Sequence, residues 1–328
     1  MTTNFEIVSG GVAPELALDI ANTLGKELVP VELRRFACGE RYARFECSVR
    51  RKNIVIIQSF SEVNGYSIND AILETLLIVD AARRASAGEI TLVAPLLPYS
   101  RQDRKARNRE PISASVVLRI FKQCGVDRVV SVDLHSAQTQ AVFEGLFDHI
   151  IAQPLILEKL RSIIGVKPND YVIVSPDTGR AKESEQYADD LGVSLVHLPK
   201  SRDHEDSKKI KRPSTVSGVK GKKCIIIDDM IDTGGTLITA ADTVKESGAK
   251  SVIICATHGI LSNDAAERFS KSRVSHLILT NTLPQQHAES VLGKKLHILD
   301  IAPIVAEVIR RIELGESVAS MFNNRNCR

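Results

Sequence analysis

The 328-residue chain contains no tryptophan, and aromatic residues make up only 4% of it. Few rings are therefore on hand to stack along a nucleic-acid strand. No apolar run approaches the length that spans a bilayer, so nothing reads as a membrane helix. Six cysteines (Cys38, Cys47, Cys124, Cys224, Cys255, Cys327) show no CxxC spacing. Half of them sit in or beside apolar runs, as reduced, packed thiols do. The amino end lacks a basic segment leading into an apolar core and cleavage site, so a cytoplasmic location is expected. A formal net charge of +3 is too slight to mark a nucleic-acid partner. It suits phosphorylated metabolites, provided that the cations cluster. No GxxxxGK[ST] phosphate loop occurs anywhere, so any nucleoside triphosphate must be held by other means.

What is present is 43% hydrophobic and 25% charged residues in a chain long enough for two cores, the profile of an α/β enzyme. One unit recurs: a helical stretch, a glycine that ends it, a few polar residues, then a short β-branched run. It appears as AARRASAGEITLVAP around Gly88, IFKQCGVDRVVSVDLHS around Gly125 and TVKESGAKSVIICATHG around Gly248. The runs from Asn53, Ile90, Val129, Tyr171, Cys224, Ser251 and His276 are short and nearly continuous in apolar residues. Strands covered by helices on both faces look like this, which predicts doubly wound parallel sheets. The succession from Asn53 to Ile90 resembles that from Cys224 to Val252, suggesting a duplication. The expected boundary falls at Gln153-Pro154, after a loop around Phe147 to Ile150. This gives domains of residues 1–152 and 153–328, with the last ~20 residues free to pack back on the first.

Five segments carry chemistry. CIIIDDMIDTGGTLITAA, from Cys224, sets Asp228 and Asp229 after a buried strand and Asp232-Thr233-Gly234-Gly235-Thr236 at a helix amino end. Successive backbone N–H groups there make a phosphate nest. Carboxylates beside it would repel the anion unless they serve other groups, and sugar hydroxyls are the obvious donors. A helix cap with turn glycines would explain Thr233 and Gly235 but leave the acidic pair idle. PYSRQDRKARNREP, from Pro98, gathers Arg101, Arg104, Lys105, Arg107 and Arg109 just past a strand, as a triphosphate requires; a solvated basic loop is the plainer alternative. VDLHSAQTQ places Asp133 and His135 at a strand's carboxyl end, and VSPDTGRAKESEQ does the same for Asp177. Magnesium prefers oxygen, so chemistry alone favours a hydrogen-bonded structural histidine at 135, and Asp177 could equally cap the next helix. HLPKSRDHEDSKKIKRP, from His197, follows neither structural period and reads as a loop with Lys200 and Arg202 at its root.

In their order along the chain the segments resemble the class I ribose-phosphate pyrophosphokinase (phosphoribosyl pyrophosphate synthetase) family over nearly the whole chain. The resemblance implies two similar phosphoribosyltransferase-like α/β domains, each a mostly parallel sheet flanked by helices. It also implies transfer of the β,γ-diphosphate of ATP to the C1 hydroxyl of ribose 5-phosphate, with release of AMP. RRFACGERYARF, from Arg34, resembles the family's adenine-binding flap, which assigns Phe36, Cys38, Gly39 and Glu40 to ATP together with Arg101 and Gln102. Ribose 5-phosphate falls to Arg202, Asp228, Asp229, Asp232, Thr233, Gly234, Gly235 and Thr236. Mg²⁺ falls to His135 and Asp177, and catalysis to Lys200 with Arg202. A homohexamer is implied, in which one subunit's flap and basic segment complete a neighbour's site, with phosphate or ADP as allosteric ligands.

The chain departs from the pattern at Cys38, where the family has Asp or Asn, at Cys47, where it has Glu, and in AVFEGLF from Ala141. A phosphoribosyltransferase would share the loop near Asp228 without needing the ATP segments. A non-catalytic regulatory paralogue would explain Cys38 and Cys47.

Overall fold

The structure is a computed structural model that describes residues 4–63, 65–176, 179–198 and 216–322. Short β-branched strands alternate with helices, and the chain divides into two compact units. Unit 1 comprises Met1–Ala152, Asn281–Pro284 and Asp300–Arg328; unit 2 comprises Gln153–Thr280 and Gln285–Leu299.

Unit 1 begins with β1 (Phe5–Ser9), α1 (Pro14–Thr23) and a hairpin of β2 (Val31–Arg35) and β3 (Arg41–Phe45). It continues through β4 (Asn53–Ile57), α2 (Ile68–Arg84), β5 (Ile90–Ala94), α3 (Ser113–Cys124), β6 (Arg128–Val132) and β7 (Leu146–Ile150). Its five-stranded sheet runs β1-β4-β5-β6-β7, parallel throughout, and the hairpin is a sheet of its own. The segment from Phe147 to Ile150, expected as a loop, is instead part of edge strand β7. Only Ile150 of that strand is fully buried, and Asp148 is anchored by Arg128 at 2.6 Å. An edge position tolerates such polarity, which is why the run lacks a strand's usual apolar look.

Unit 2 contains α4 (Gln153–Ile164), β8 (Tyr171–Ser175), α5 (Ala181–Leu191), β9 (Ser194–His197), β10 (Lys223–Ile231) and α6 (Gly235–Glu246). These lead to β11 (Ser251–Gly259), α7 (Ala265–Lys271), β12 (His276–Thr280), α8 (Gln286–Leu292) and β13 (Leu296–Leu299). The strand order is β13-β12-β11-β10-β8-β9, again parallel. Alternate residues of β8, β10 and β11 enter two different cores. Val172, Val174, Cys224, Ile226, Val252 and Ile254 meet α6 and α7 on one face. Tyr171, Ile173, Ile225, Ile227, Ile253 and Cys255 meet α4 and α5 on the other. A strand buried on both sides needs apolar residues at every position, hence the unbroken CIII run.

The two sheets share a plan. Reading β8-β10-β11-β12-β13 against β1-β4-β5-β6-β7 gives the same strand order, with β9 added outside β8. After β13 the chain forms α9 (Ala302–Leu314), which packs on α1 within unit 1. The Asn53 amide there donates to Glu313 at 3.1 Å. Among the described residues, no helix is long and apolar enough to cross a membrane.

Candidate active site

In unit 2 the described sequence-predicted residues gather at the carboxyl end of β10 and in the turn that leads into α6. The acidic pair was expected after the strand, but β10 continues through Asp228 and Asp229 to Ile231. Register with β11 persists there, Asp228 pairing with Ala256 and Met230 with His258. Sheet backbone rather than loop thus holds both carboxylates. Arg180, preceding the first turn of α5, makes this possible. Its Nε lies 3.1 Å from Asp228 and a terminal nitrogen pairs with Asp229, while the other contacts Glu183 at 2.9 Å. Asp229, 4% exposed, also accepts the Met230 N–H at 2.8 Å, and Asp228 accepts the Asp229 N–H at 2.9 Å.

Burial, and next the charge of Asp229, push the Asp228 carboxyl up to about 7, although Arg180 opposes the shift. Arg180 itself is held above its ordinary value: burial works against its charge, but Asp229, Glu183 and Asp228 outweigh it. Of the two acids, Asp228 keeps the more exposed side chain, 24% against 5%. Asp228 is therefore the better placed to meet a ligand hydroxyl. Arg180 was missed in the sequence, where it reads as one more residue of a Thr-Gly-Arg turn.

From Ile231 the chain turns through Asp232, Thr233 and Gly234 into α6. Gly234 occupies the N-cap with φ +71°, and no side chain caps the helix. The N–H groups of its first turn thus lack intrahelical acceptors and point along the positive end of the dipole. A Cβ at Gly234 would overlap the ring of Phe269 from α7, so only glycine fits. Thr233 and Thr236 are exposed beside this turn. Arg268, also missed in the sequence, donates to the Thr233 carbonyl at 3.0 Å and brings a guanidinium against the loop.

In unit 1, Arg101 and Gln102 follow β5 and His135 follows β6, all three exposed. The Gln102 N–H donates to the Tyr99 carbonyl at 2.9 Å, and its side-chain oxygen accepts from Ser113 at the start of α3 at 2.5 Å. Glu110 accepts the N–H groups of Ala106 and Arg107, both at 2.8 Å, folding the basic loop on itself. His135 is presented by a turn in which Asp133 adopts φ +34°. Asp133 accepts the Ala152 N–H at 3.2 Å, and the Leu134 N–H donates to His149 Nε2 at 3.0 Å.

Phe36, Cys38, Gly39 and Glu40 form the hairpin turn, closed by the Phe36 N–H donating to the Glu40 carbonyl at 2.8 Å. Phe36 is 40% exposed. Its ring meets Tyr42 edge-on at 5.8 Å, and the Arg34 guanidinium lies 4.9 Å from its centre. Cys38 is exposed. Asp177, Lys200 and Arg202 lie outside the described residues.

Among the described residues no cluster of His, Cys, Asp and Glu builds a complete metal cage. An exposed His135 at a strand end still fits a Mg²⁺-like ion, which keeps several waters and takes phosphate oxygens instead of an all-protein shell.

Two family models match the chain. One describes the N-terminal domain of ribose phosphate pyrophosphokinase and covers residues 5–125; the other describes a phosphoribosyl synthetase-associated domain and covers residues 205–323. The chain is 40% identical to a ribose-phosphate pyrophosphokinase of Streptomyces coelicolor over 97% of its own length and 95% of the relative's. Against that of Corynebacterium efficiens the identity is 42%, covering 97% and 96%. The structure is similar to the crystal structure of phosphoribosylpyrophosphate synthetase from Mycobacterium smegmatis, with a TM-score of 0.85 and 41% identity over 94% of this chain and 98% of that one.

Proposed function

This chain belongs to the ribose-phosphate pyrophosphokinase family, and we propose that it transfers the β,γ-diphosphate of ATP to ribose 5-phosphate. The products are 5-phosphoribosyl 1-diphosphate and AMP. The observation that carries the residue assignments is the uncapped amino end of α6 beside an acidic pair built into β10. Anion-seeking N–H groups and hydroxyl-seeking carboxylates, side by side, match a sugar that bears a phosphate.

In this reading the Asp232 to Thr236 turn takes the 5-phosphate while Asp228 orients the ring hydroxyls, with Asp229 and Arg180 fixing its position. Phe36 stacks on the adenine, Cys38, Gly39 and Glu40 edge it, and Arg101 and Gln102 hold the phosphates. Mg²⁺, bound by His135 and Asp177, would neutralise phosphate oxygens. The C1 oxygen attacks the β-phosphorus in line, the bond from that phosphorus to the α,β-bridging oxygen breaks, and AMP leaves. Lys200 and Arg202 counter the charge that develops on the migrating group, so positioning and electrostatics supply the acceleration without a covalent enzyme intermediate. A cytoplasmic homohexamer, regulated by phosphate or ADP, completes the proposal.

The direct test incubates the purified protein with ATP, ribose 5-phosphate and Mg²⁺. AMP and 5-phosphoribosyl 1-diphosphate should appear in equal amounts; absence of both overturns the reading, as a phosphoribosyltransferase or a non-catalytic paralogue would predict. The sugar site has its own test in Gly234→Ala. Left-handed backbone costs an L-residue about 1–2 kcal/mol, before any overlap with Phe269. The KM for ribose 5-phosphate should rise at least about tenfold while that for ATP stays within about twofold. An unchanged ribose 5-phosphate KM would remove the nest from the mechanism.

A further inference from the structure

The hairpin that carries Phe36 to Glu40 is seated by alternation. Val31 pairs with Phe45 and Leu33 with Ala43, and all four pack against the unit 1 core. Glu32, Arg34, Tyr42 and Arg44 belong to the opposite face, where Arg44 pairs with Glu32 at 3.1 Å. The next pair on the core-facing side is Arg35 and Arg41, immediately beside the turn. Apolar seating therefore stops one pair short of the residues that would meet a nucleotide.

Arg41 replaces it. Its side chain is only 5% exposed, its guanidinium lies 3.8 Å from the centre of the Tyr66 ring, and its Nε is 3.2 Å from Asp70. Asp70 is fixed in turn by a capping box with Ser67 at the start of α2. Tyr66 is held by reciprocal backbone hydrogen bonds with Val63, at 2.9 and 3.1 Å. Its hydroxyl donates at 3.0 Å to Glu74, a carboxylate with no solvent exposure. Glu74 also accepts the Gly11 N–H at 2.8 Å and the Gln58 amide at 3.1 Å. A Cβ at Gly11 would overlap the Tyr66 hydroxyl, so glycine there leaves room for the ring.

We infer that Arg41 and Tyr66 are positioning residues for the nucleotide: they clamp the tip of the hairpin to α2, with Glu74 as the buried anchor, and so set the pose of Phe36 to Glu40. This rests on the reading of that turn as the adenine contact. A guanidinium over a ring and near a carboxylate is directional, unlike apolar seating, and it fixes the hairpin's angle as well as its attachment. The Tyr66 phenol is pushed up to about 12 by burial and by Glu74, so the hydroxyl remains a donor across the working pH range.

The test compares full-length Arg41→Met, Tyr66→Leu, Tyr66→Phe and Phe36→Ala by steady-state kinetics and by hydrogen exchange of the hairpin amides. Arg41→Met and Tyr66→Leu should each raise the KM for ATP about tenfold, with kcat and the KM for ribose 5-phosphate within about twofold. Exchange in residues 31–45 should quicken at least about tenfold, while amides of β4 and α2 keep their rates. Tyr66→Phe keeps the ring and should restore most of the ATP affinity. Phe36→Ala should raise the KM for ATP without changing hairpin exchange. If Phe36→Ala weakens ATP and Arg41→Met does not, the clamp is overturned. If Phe36→Ala leaves ATP untouched, the adenine reading falls, and exchange rates alone decide whether the clamp holds the hairpin.

Discussion

Lys200→Ala is expected to lower kcat by at least about a hundredfold, with the unfolding midpoint unchanged. Diphosphate transfer asks little covalent chemistry of a protein; what must be met is charge building on the equatorial and bridging oxygens around the β-phosphorus. A cation that meets this developing charge acts mainly in the transition state, so its loss lowers kcat more than it raises either KM. Lys200 earns the assignment from its place in the family's sequence pattern. Single-turnover measurement of AMP release, with both substrates saturating, separates the chemical step from binding. Turnover near that of the unaltered protein would remove Lys200 from catalysis. Equal loss through KM alone would make it a binding residue.

Arg180→Met should be the most destabilising single change at the sugar site. It strands Asp228 and Asp229, neither side chain more than 24% exposed, without the guanidinium that pairs with both. Breaking a buried ion pair by removing one partner costs about 3–5 kcal/mol. The sign of its pH dependence follows from Asp228. Its folded pKa, near 7, lies above the ordinary carboxylate value. The burial penalty is therefore absent at low pH, where the group is protonated in both states, and grows as pH rises toward the folded pKa. Removing Arg180 raises that pKa further. Chemical denaturation should thus show the largest gap between variant and parent near pH 8 and a smaller one near pH 5. A gap under about 1 kcal/mol near pH 8, or one that widens on acidification, would show that Arg180 does not neutralise the pair.

Much of this was legible because the signals were local. An apolar run buried on both faces cannot hide its composition, and Ile225 to Ile227 announce β10. Glycine at Gly234 announces a turn that no other residue could make. What escaped depends on partners far along the chain. Leu146 to Ile150 became a strand because an edge beside β6 accepts Asp148 and His149. The strand register continues past Ile227 because Arg180, about fifty residues earlier in the sequence, meets two carboxylates that would otherwise end it. Nothing in the sequence singles out Arg41; only the fold brings Tyr66 and Asp70 to it. Resemblance to a family supplied roles for Lys200, Arg202 and Asp177 that neither periodicity nor packing assigns.

The matched strand orders of the two sheets have a consequence for how such a molecule diversifies. In each unit the chain leaves the first strand of the shared plan, makes an excursion, and returns to lay down its neighbour. Between β1 and β4 the excursion comprises α1 and the hairpin; between β8 and β10 it includes α5, β9 and the stretch containing Lys200. The same slot therefore carries the proposed nucleotide flap in one unit and the proposed catalytic cations in the other. Insertions or deletions there leave the pairings of the five shared strands intact, which makes that slot the natural place to graft a new specificity.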